Sequence, residues 1–136
     1  MNILVIDGQG GRLGCQMVRS IAEKYPGARL MAVGTNSAAA AAMAKAGAHQ
    51  AAAGENPLIV ACRKADIIIG PIGIVIADSL FGEITPAMAV AGAQSDAVRI
   101  LLPVNRCGNI VAGVQELSLT ALISDAMAKL EGVMQE

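Results

Sequence analysis

Short apolar runs alternate with longer helical segments along this chain, and this pattern constrains the fold more than any other feature of the sequence. Runs such as NILVID at 2–7 and ADIIIG at 65–70 are apolar at nearly consecutive positions, which is typical of strands covered on both faces. Strands separated by helices pair in parallel through right-handed crossovers. We therefore predict an α/β fold with a three-layer, doubly wound and mainly parallel sheet.

The predicted elements follow one another without a Ser-rich or charged linker. Strands are expected at about 2–7, 28–33, 48–53, 65–70 and 97–104, with a short sixth strand at 109–114. Helices are expected at about 12–24, 36–47, 55–63, 85–94 and 118–130. This order leaves no room for a second domain, so residues 1–136 are predicted to form one Rossmann-like domain.

Charge and aromatic content exclude two classes of partner. Ten Lys and Arg balance eleven Asp and Glu, and Tyr25 and Phe81 are the only aromatic residues. Nucleic acid and anionic lipid both require a basic surface, and nucleic-acid bases also stack on aromatic rings. The opening apolar run is too short for a signal peptide, and no window reaches about 18 uninterrupted apolar residues. We expect a cytoplasmic protein that binds neither nucleic acid nor membrane.

The glycine loop, residues 8–14 (GQGGRLG), directly follows the first strand and opens the first helix. This context and spacing are those of the dinucleotide-binding fingerprint. Glycines let the backbone approach a phosphate, and the amides at a helix start attract an anion. The predicted ligand-binding residues of the loop are Gly8, Gly10, Gly11, Arg12 and Gly14. The alternative is that the glycines serve only a tight strand-to-helix turn.

The end of the second strand departs from the dinucleotide pattern. The acidic residue that would bind a ribose 2′-hydroxyl is missing, and Thr35 and Asn36 stand there instead. NAD is therefore less expected, whereas hydroxyl and amide donors could hold a phosphate, so NADP or another nucleotide is compatible with these residues. Asp7, a candidate catalytic residue, either binds a metal, a hydroxyl or a base, or accepts hydrogen bonds from the loop's own amides.

Polar residues also follow the fourth and fifth strands. Asp78, Ser79 and Glu83 either face the ligand crevice or are solvated loop residues, and the second interpretation is favoured. Asn105 and Arg106 are expected to bind the substrate or a phosphate, because they follow a buried strand at the ligand-binding edge. Cys107 is a candidate nucleophile, since an adjacent arginine can lower a thiol pKa, although no histidine is placed to serve as its base.

Other residues carry the predictions about metal binding and self-association. The three cysteines and the one histidine lack the spacing of a zinc site, so no metal is expected. Apolar residues at 72–76 and 80–81 exceed what a single small sheet readily covers. They predict a homo-oligomer, with a dimer as the expected form.

The chain resembles a family of small bacterial proteins catalogued as a domain of unknown function. Seven motifs carry this resemblance: VIDGQGG at 5–11, GTN at 34–36, AMAKAGA at 42–48, GEN at 54–56, DIIIGPIGIVIA at 66–77, GEITP at 82–86 and PVNRC at 103–107. The resemblance implies a Rossmann-like fold and no particular activity. The glycine loop alone is also similar to that of dihydrodipicolinate-type reductases, whose separate substrate domain this chain lacks, so their activity is not carried over.

The leading hypothesis is a module that binds a nucleotide or a phosphorylated metabolite at the glycine loop. The alternative is a small oligomeric enzyme that acts on a phosphorylated substrate or uses NADP, with its site completed at a subunit interface. A third interpretation is a structural subunit with a vestigial loop.

Overall fold

A five-stranded parallel sheet forms the centre of the molecule. The computed structural model describes residues 1–104 and 106–135. Its strands are β1 (Asn2–Asp7), β2 (Arg29–Gly34), β3 (Gln50–Ala53), β4 (Ile67–Pro71) and β5 (Val98–Leu102). They are ordered β3-β2-β1-β4-β5, and each pair of neighbours is parallel. The strand order therefore reverses between β1 and β4, as in doubly wound sheets.

Helices cover both faces of the sheet. They are α1 (Arg12–Lys24), α2 (Ser37–Ala46), α3 (Glu55–Lys64), α4 (Pro86–Gln94) and α5 (Leu119–Met134), with a short 3₁₀ helix (Ile72–Val75) directly after β4. α1, α2 and α5 pack on one face, whereas α3, the 3₁₀ helix and α4 pack on the other. This is the predicted three-layer, single-domain α/β architecture, which the structure confirms.

The central strand shows why the sheet needs two covering layers. Ile3 and Val5 join the core on the α1 face, and Leu4 and Ile6 join the core on the α3 face, because successive side chains of a strand point to opposite sides. All four are at most 1% exposed. Full burial of an aliphatic side chain stabilises the folded state by about 1.5–3 kcal/mol. The apolar run at 2–7 therefore reflects burial on both faces.

The predicted sixth strand at 109–114 is wrong. Gly108 and Gly113 have φ of +85° and +83°, and the amide of Val114 donates to the carbonyl of Val111 at 3.4 Å. The left-handed Gly113 and the turn at 111–114 that contains it prevent an extended conformation. The segment instead crosses the surface from β5 to α5, and α5 extends beyond the predicted end at 130 to Met134.

Candidate functional site

The carboxyl ends of the strands bring most of the predicted site residues to one edge of the sheet. Asp7 at the end of β1 pairs in register with Gly34 at the end of β2, and β4 lies on the other side of β1. An open cavity of about 290 Å³ at this edge is lined by Asp7, Gly8, Gln9, Gly10, Gly11, Arg12, Leu13, Val104 and Leu119. It therefore lies between the glycine loop and the start of α5.

Packing explains some glycines of the loop but not all of them. Gly11 has a left-handed φ of +73°, and a Cβ there would lie 2.9 Å from the Cα of Ala39. A Cβ on Gly14 would lie 2.6 Å from Sδ of Met43. A Cβ on Gly10, by contrast, would meet no atom within 4 Å. A tight turn and close helix packing thus account for Gly11 and Gly14, whereas Gly10 faces open space.

Asp7 lines the cavity, but both of its carboxylate oxygens are bonded to the loop itself. Its Oδ1 accepts a hydrogen bond from the amide of Gly8 at 2.8 Å, and its Oδ2 accepts one from the amide of Gly14 at 2.7 Å. The sequence allows two roles for this carboxylate, and the structure shows the second of them: it accepts hydrogen bonds from the amides of the glycine loop. Burial raises the pKa of Asp7, although these two amide bonds oppose the rise, and the charge of Glu83 adds to it.

The start of α1 leaves backbone amides available for a ligand. The amide of Gly11 donates to the carbonyl of Gly8 at 2.9 Å, and the amide of Gly14 donates to the carboxylate of Asp7. The amides of Gly10, Arg12 and Leu13 have no acceptor in the described part of the chain. Unsatisfied amides at a helix start carry partial positive charge and bind anions. Gly10, Arg12 and Leu13, rather than Gly11, therefore offer donors to the cavity.

Arg12 adds a full positive charge next to these amides. Its side chain is exposed and forms no hydrogen bond or ion pair with residues 1–104 or 106–135. An arginine head group binds phosphate or carboxylate through two parallel hydrogen bonds. The cavity mouth therefore combines backbone donors with an uncommitted guanidinium.

Glu83 is the residue of this region whose placement the sequence analysis missed. Its Oε1 accepts hydrogen bonds from the amide of Gln9 at 2.9 Å, the hydroxyl of Thr35 at 2.5 Å and the side-chain amide of Asn36 at 2.8 Å. Burial acts to raise the pKa of Glu83, but the hydrogen bonds from Thr35, Gln9 and Asn36 outweigh it and lower the pKa. The expectation that Glu83 is a solvated loop residue is wrong, because it joins the loop after β4 to the ends of β1 and β2.

Thr35 and Asn36 follow β2 as predicted and are held by this contact. The side-chain oxygen of Asn36 also accepts from the amide of Ala39 at 2.8 Å, which caps α2, while its amide donates to the carbonyl of Gln9 at 2.9 Å. Both residues therefore lie beside the glycine loop, and their donors are directed to Glu83.

The segment between the 3₁₀ helix and α4, residues 76–84, has an unusual backbone. Asp78, Leu80 and Phe81 have φ of +65°, +55° and +57°, a region that residues with bulky side chains rarely adopt. Leu80 is buried, and its Cδ1 would lie 2.9 Å from a Cβ on Gly8. Ser79 is 2% exposed, and its hydroxyl donates to the carbonyl of Gly73, so the expectation that Ser79 is solvated is also wrong. Asp78 is exposed, as expected.

The segment after β5 contributes Val104 to the cavity wall, but Arg106 is held within its own segment. Its Nε donates to the carbonyl of Pro103 at 3.0 Å, and its Nη2 lies 3.3 Å from Oε1 of Glu116. Cys107 is exposed, and its Sγ accepts from the amide of Leu80 at 3.3 Å. The predicted ligand contact at Asn105 lies outside the described residues.

The described residues contain neither a metal-binding cluster nor a helix that could cross a membrane. Among residues 1–104 and 106–135, no group of three or more His, Cys, Asp or Glu is placed to hold a metal ion. In that same part of the chain, no helix combines the length and apolar character needed to cross a bilayer. His49 lies before β3 at the opposite edge, where its Nδ1 accepts from the amide of Leu30 at 3.0 Å.

Comparison with protein-family models matches residues 2–135 to the family described as Domain of unknown function (DUF3842). The match covers nearly the whole chain and confirms the resemblance to such a family. A comparison with curated proteins finds no match.

Proposed function

This chain belongs to the DUF3842 family, and we propose that it is a module that binds a nucleotide or a phosphorylated metabolite, with a phosphate at the glycine loop. The observation that carries the proposal is the set of amides on Gly10, Arg12 and Leu13, which line an open cavity without an acceptor in the described part of the chain. We also propose that the protein is cytoplasmic, as expected from its sequence.

The charge around the cavity supports an anionic ligand. The dipole of a helix favours negative charge at its start, and α1 has no acidic residue in its first turn. The carboxylate of Asp7, which lines the cavity, has both oxygens bonded to amides of the loop. Arg12 is exposed beside the cavity. A phosphate would therefore gain amide bonds and a cation while the charge of Asp7 is offset by its own partners.

The size of the cavity suits the phosphate-bearing part of a ligand. Ligand pockets in proteins have volumes of about 300–1,000 Å³, and this cavity of about 290 Å³ lies at the lower limit. Gly10 contributes no side chain, so a phosphate can approach its backbone closely. Val104 and Leu119 provide an apolar wall on the opposite side. The arrangement suits a phosphate attached to a less polar group, such as a nucleoside.

An enzyme completed by a second subunit is the alternative, and the exposed Phe81 and Ile110 favour it. Both side chains are more than 90% exposed, and the hydrogen bond from Leu80 to Cys107 joins the segments that carry them at the ligand-binding edge. A second copy that covered them would lie at the same edge of the sheet as the cavity. Turnover in a broad metabolite screen would distinguish this enzyme from a binding module.

The first test asks which ligand the protein carries and whether Gly10 contacts it. Native mass spectrometry of the freshly purified protein should reveal a bound molecule that contains phosphate. The variant Gly10→Val should then lose at least about tenfold in affinity for that molecule, or for NADP⁺ in calorimetry, about 1.4 kcal/mol. The added side chain would enter the cavity, and the absence of neighbours within 4 Å means that the variant should fold normally.

Gly27→Val is the matched control. Gly27 also has no atom within 4 Å of its added Cβ, but it precedes β2 at the opposite edge of the sheet. This variant should bind like the wild type, and both variants should retain the circular dichroism spectrum. Equal affinity in Gly10→Val and the wild type would remove the glycine loop from the site.

A further inference from the structure

Three hydrogen-bond donors from two loops converge on one carboxylate oxygen at the ends of β1 and β2. The amide of Gln9, the hydroxyl of Thr35 and the side-chain amide of Asn36 all donate to Oε1 of Glu83, at 2.9, 2.5 and 2.8 Å. None of these donors is charged. They form a preorganised set that an anionic oxygen satisfies, and in the structure the chain's own carboxylate satisfies it.

The position of these donors identifies the part of a ligand that they would meet. In nucleotide-binding sheets of this topology, the residue at the end of the second strand contacts the 2′ position of the ribose. An acidic side chain there accepts from a 2′-hydroxyl, whereas donors there suit a phosphate. Thr35 directly follows β2, and Gln9 belongs to the glycine loop. The ribose of a nucleotide bound at the loop would therefore face Glu83.

We propose that Gln9, Thr35 and Asn36 form a subsite for a phosphate on the ligand ribose, and that Glu83 occupies this subsite until the phosphate displaces its carboxylate. The inference rests on the proposed function, because the same nucleotide would bind the glycine loop with its other phosphates. Glu83 would then select ligands, since only a ligand with an anion at this position replaces the bonds that Glu83 loses.

Two features of Glu83 and its segment make displacement feasible. Only Oε1 of the carboxylate has donors, because Oε2 receives no hydrogen bond from the described residues. A phosphate monoester carries about two negative charges and three acceptor oxygens. The segment that holds Glu83 has left-handed backbone at Asp78, Leu80 and Phe81. Strained conformations of this kind persist only while surrounding contacts hold them, and they occur often in switch segments.

The test compares NADP⁺ with NAD⁺, which differ only by the 2′-phosphate, in calorimetry of the wild type and of Glu83→Gln. The substitution removes the competing charge while keeping the size of the side chain. NADP⁺ should bind about tenfold more tightly to Glu83→Gln than to the wild type, or about 1.4 kcal/mol. NAD⁺ should change by less than about twofold, because it carries no group for the subsite.

Glu55→Gln is the matched control for the loss of a carboxylate. Glu55 lies at the same sheet edge, and its Oε1 accepts from the hydroxyl of Thr85 at 2.5 Å, but among the described residues it has no hydrogen bond to the glycine loop or the subsite. Glu55→Gln should therefore leave the affinities for NADP⁺ and NAD⁺ unchanged. Adding Thr35→Val to Glu83→Gln removes one donor and should cancel the gain for NADP⁺.

A measurement on the wild type covers the case in which Glu83→Gln does not fold. The amide resonance of Gln9 should shift on saturation with NADP⁺ much more than with NAD⁺, because its acceptor changes from carboxylate to phosphate. No shift difference between the two nucleotides would overturn the subsite.

The possible results separate the inference from the function on which it rests. Failure of every form to bind any nucleotide would overturn both. Binding that depends on Gly10 but is indifferent to Glu83→Gln would overturn only the subsite. Weaker binding of both nucleotides to Glu83→Gln would also overturn it, because Glu83 would then be a direct ligand contact.

Discussion

The surroundings of the two carboxylates beside the glycine loop, Asp7 and Glu83, shift their pKa values in opposite directions. Asp7 is 3% exposed and sits behind the loop, where burial raises its pKa despite two amide bonds. Glu83 lies on the outer side, where three donors outweigh burial and lower its pKa. The charge of Glu83 also contributes to the raised pKa of Asp7. The loop is therefore held in shape by one residue and contacted by the other.

This difference predicts opposite pH dependences of stability for two variants. The unfolded chain ionises Asp7 near its ordinary pKa of 3.8, whereas the folded chain keeps the proton to higher pH. The folded state binds more protons in that window, so the contribution of Asp7 to stability falls as pH rises through it. The free energy of unfolding of the wild type, relative to that of Asp7→Asn, should therefore decrease as pH rises above about 4.

For Glu83→Gln we expect the opposite pH dependence of the free energy of unfolding. The folded-state pKa of Glu83 is lower than its ordinary 4.5. Its contribution to stability is therefore present above that value and is lost as pH falls through the folded pKa. Relative to Glu83→Gln, the wild type should gain stability as pH rises. Denaturant titrations at several pH values test both slopes, and two slopes of the same sign would contradict this account.

At the scale of elements, the sequence predicts the regular structure better than the segments between it. Runs such as 2–7 and 65–70 predict strands because they are buried on both faces, and residues 8–14 predict a turn because glycines are concentrated there. Segment 76–84 could not be predicted in the same way. Its left-handed Leu80 and Phe81 contradict local preference, and Glu83 is placed by partners far away in the chain, such as Thr35. Contacts between loops leave no periodic signal in sequence.

The segment between β5 and α5 leads to a prediction about Arg106. Its ion pair with Glu116 is largely solvent-exposed on the acidic side, and such pairs contribute only about 0–1 kcal/mol. A ligand phosphate could therefore recruit this guanidinium. We expect Arg106→Lys to weaken NADP⁺ binding about tenfold, or about 1.4 kcal/mol, because lysine cannot form the two-pronged contact. Cys107→Ser should change the affinity much less.

Glu116→Gln is the control for this prediction. It releases the guanidinium from the ion pair without removing it, so NADP⁺ affinity should stay equal or rise. If Arg106→Lys and Glu116→Gln weakened binding equally, Arg106 would act by holding its own segment. Loss of a measured activity in Cys107→Ser with binding retained would favour the enzyme over the binding module.

For the whole molecule, the exposed apolar side chains differ from those expected. Residues 72–76 and 80–81 were expected to supply an uncovered apolar surface, but Ile74 and Leu80 are 1% exposed. Phe81 is 100% exposed, and the segment after β5 adds Ile110 at 93% and Leu117 at 46%. The hydrogen bond from Leu80 to Cys107 joins these two segments. Contiguous exposed apolar groups mark interaction surfaces, and we expect these side chains to form such a patch.

We therefore expect a dimer that buries Phe81 and Ile110, since two-fold symmetric dimers are the commonest homo-oligomers. Sedimentation at micromolar concentration should give about twice the 13.8 kDa mass of the chain. The double variant Phe81→Asp and Ile110→Asp should sediment as a monomer, because two buried charges at an interface are costly. Val90→Asp changes a side chain that is 50% exposed on α4, outside both segments, and this variant should remain dimeric. A wild type that sediments only at 13.8 kDa would refute the dimer. A double variant that stays dimeric would place the interface elsewhere on the molecule.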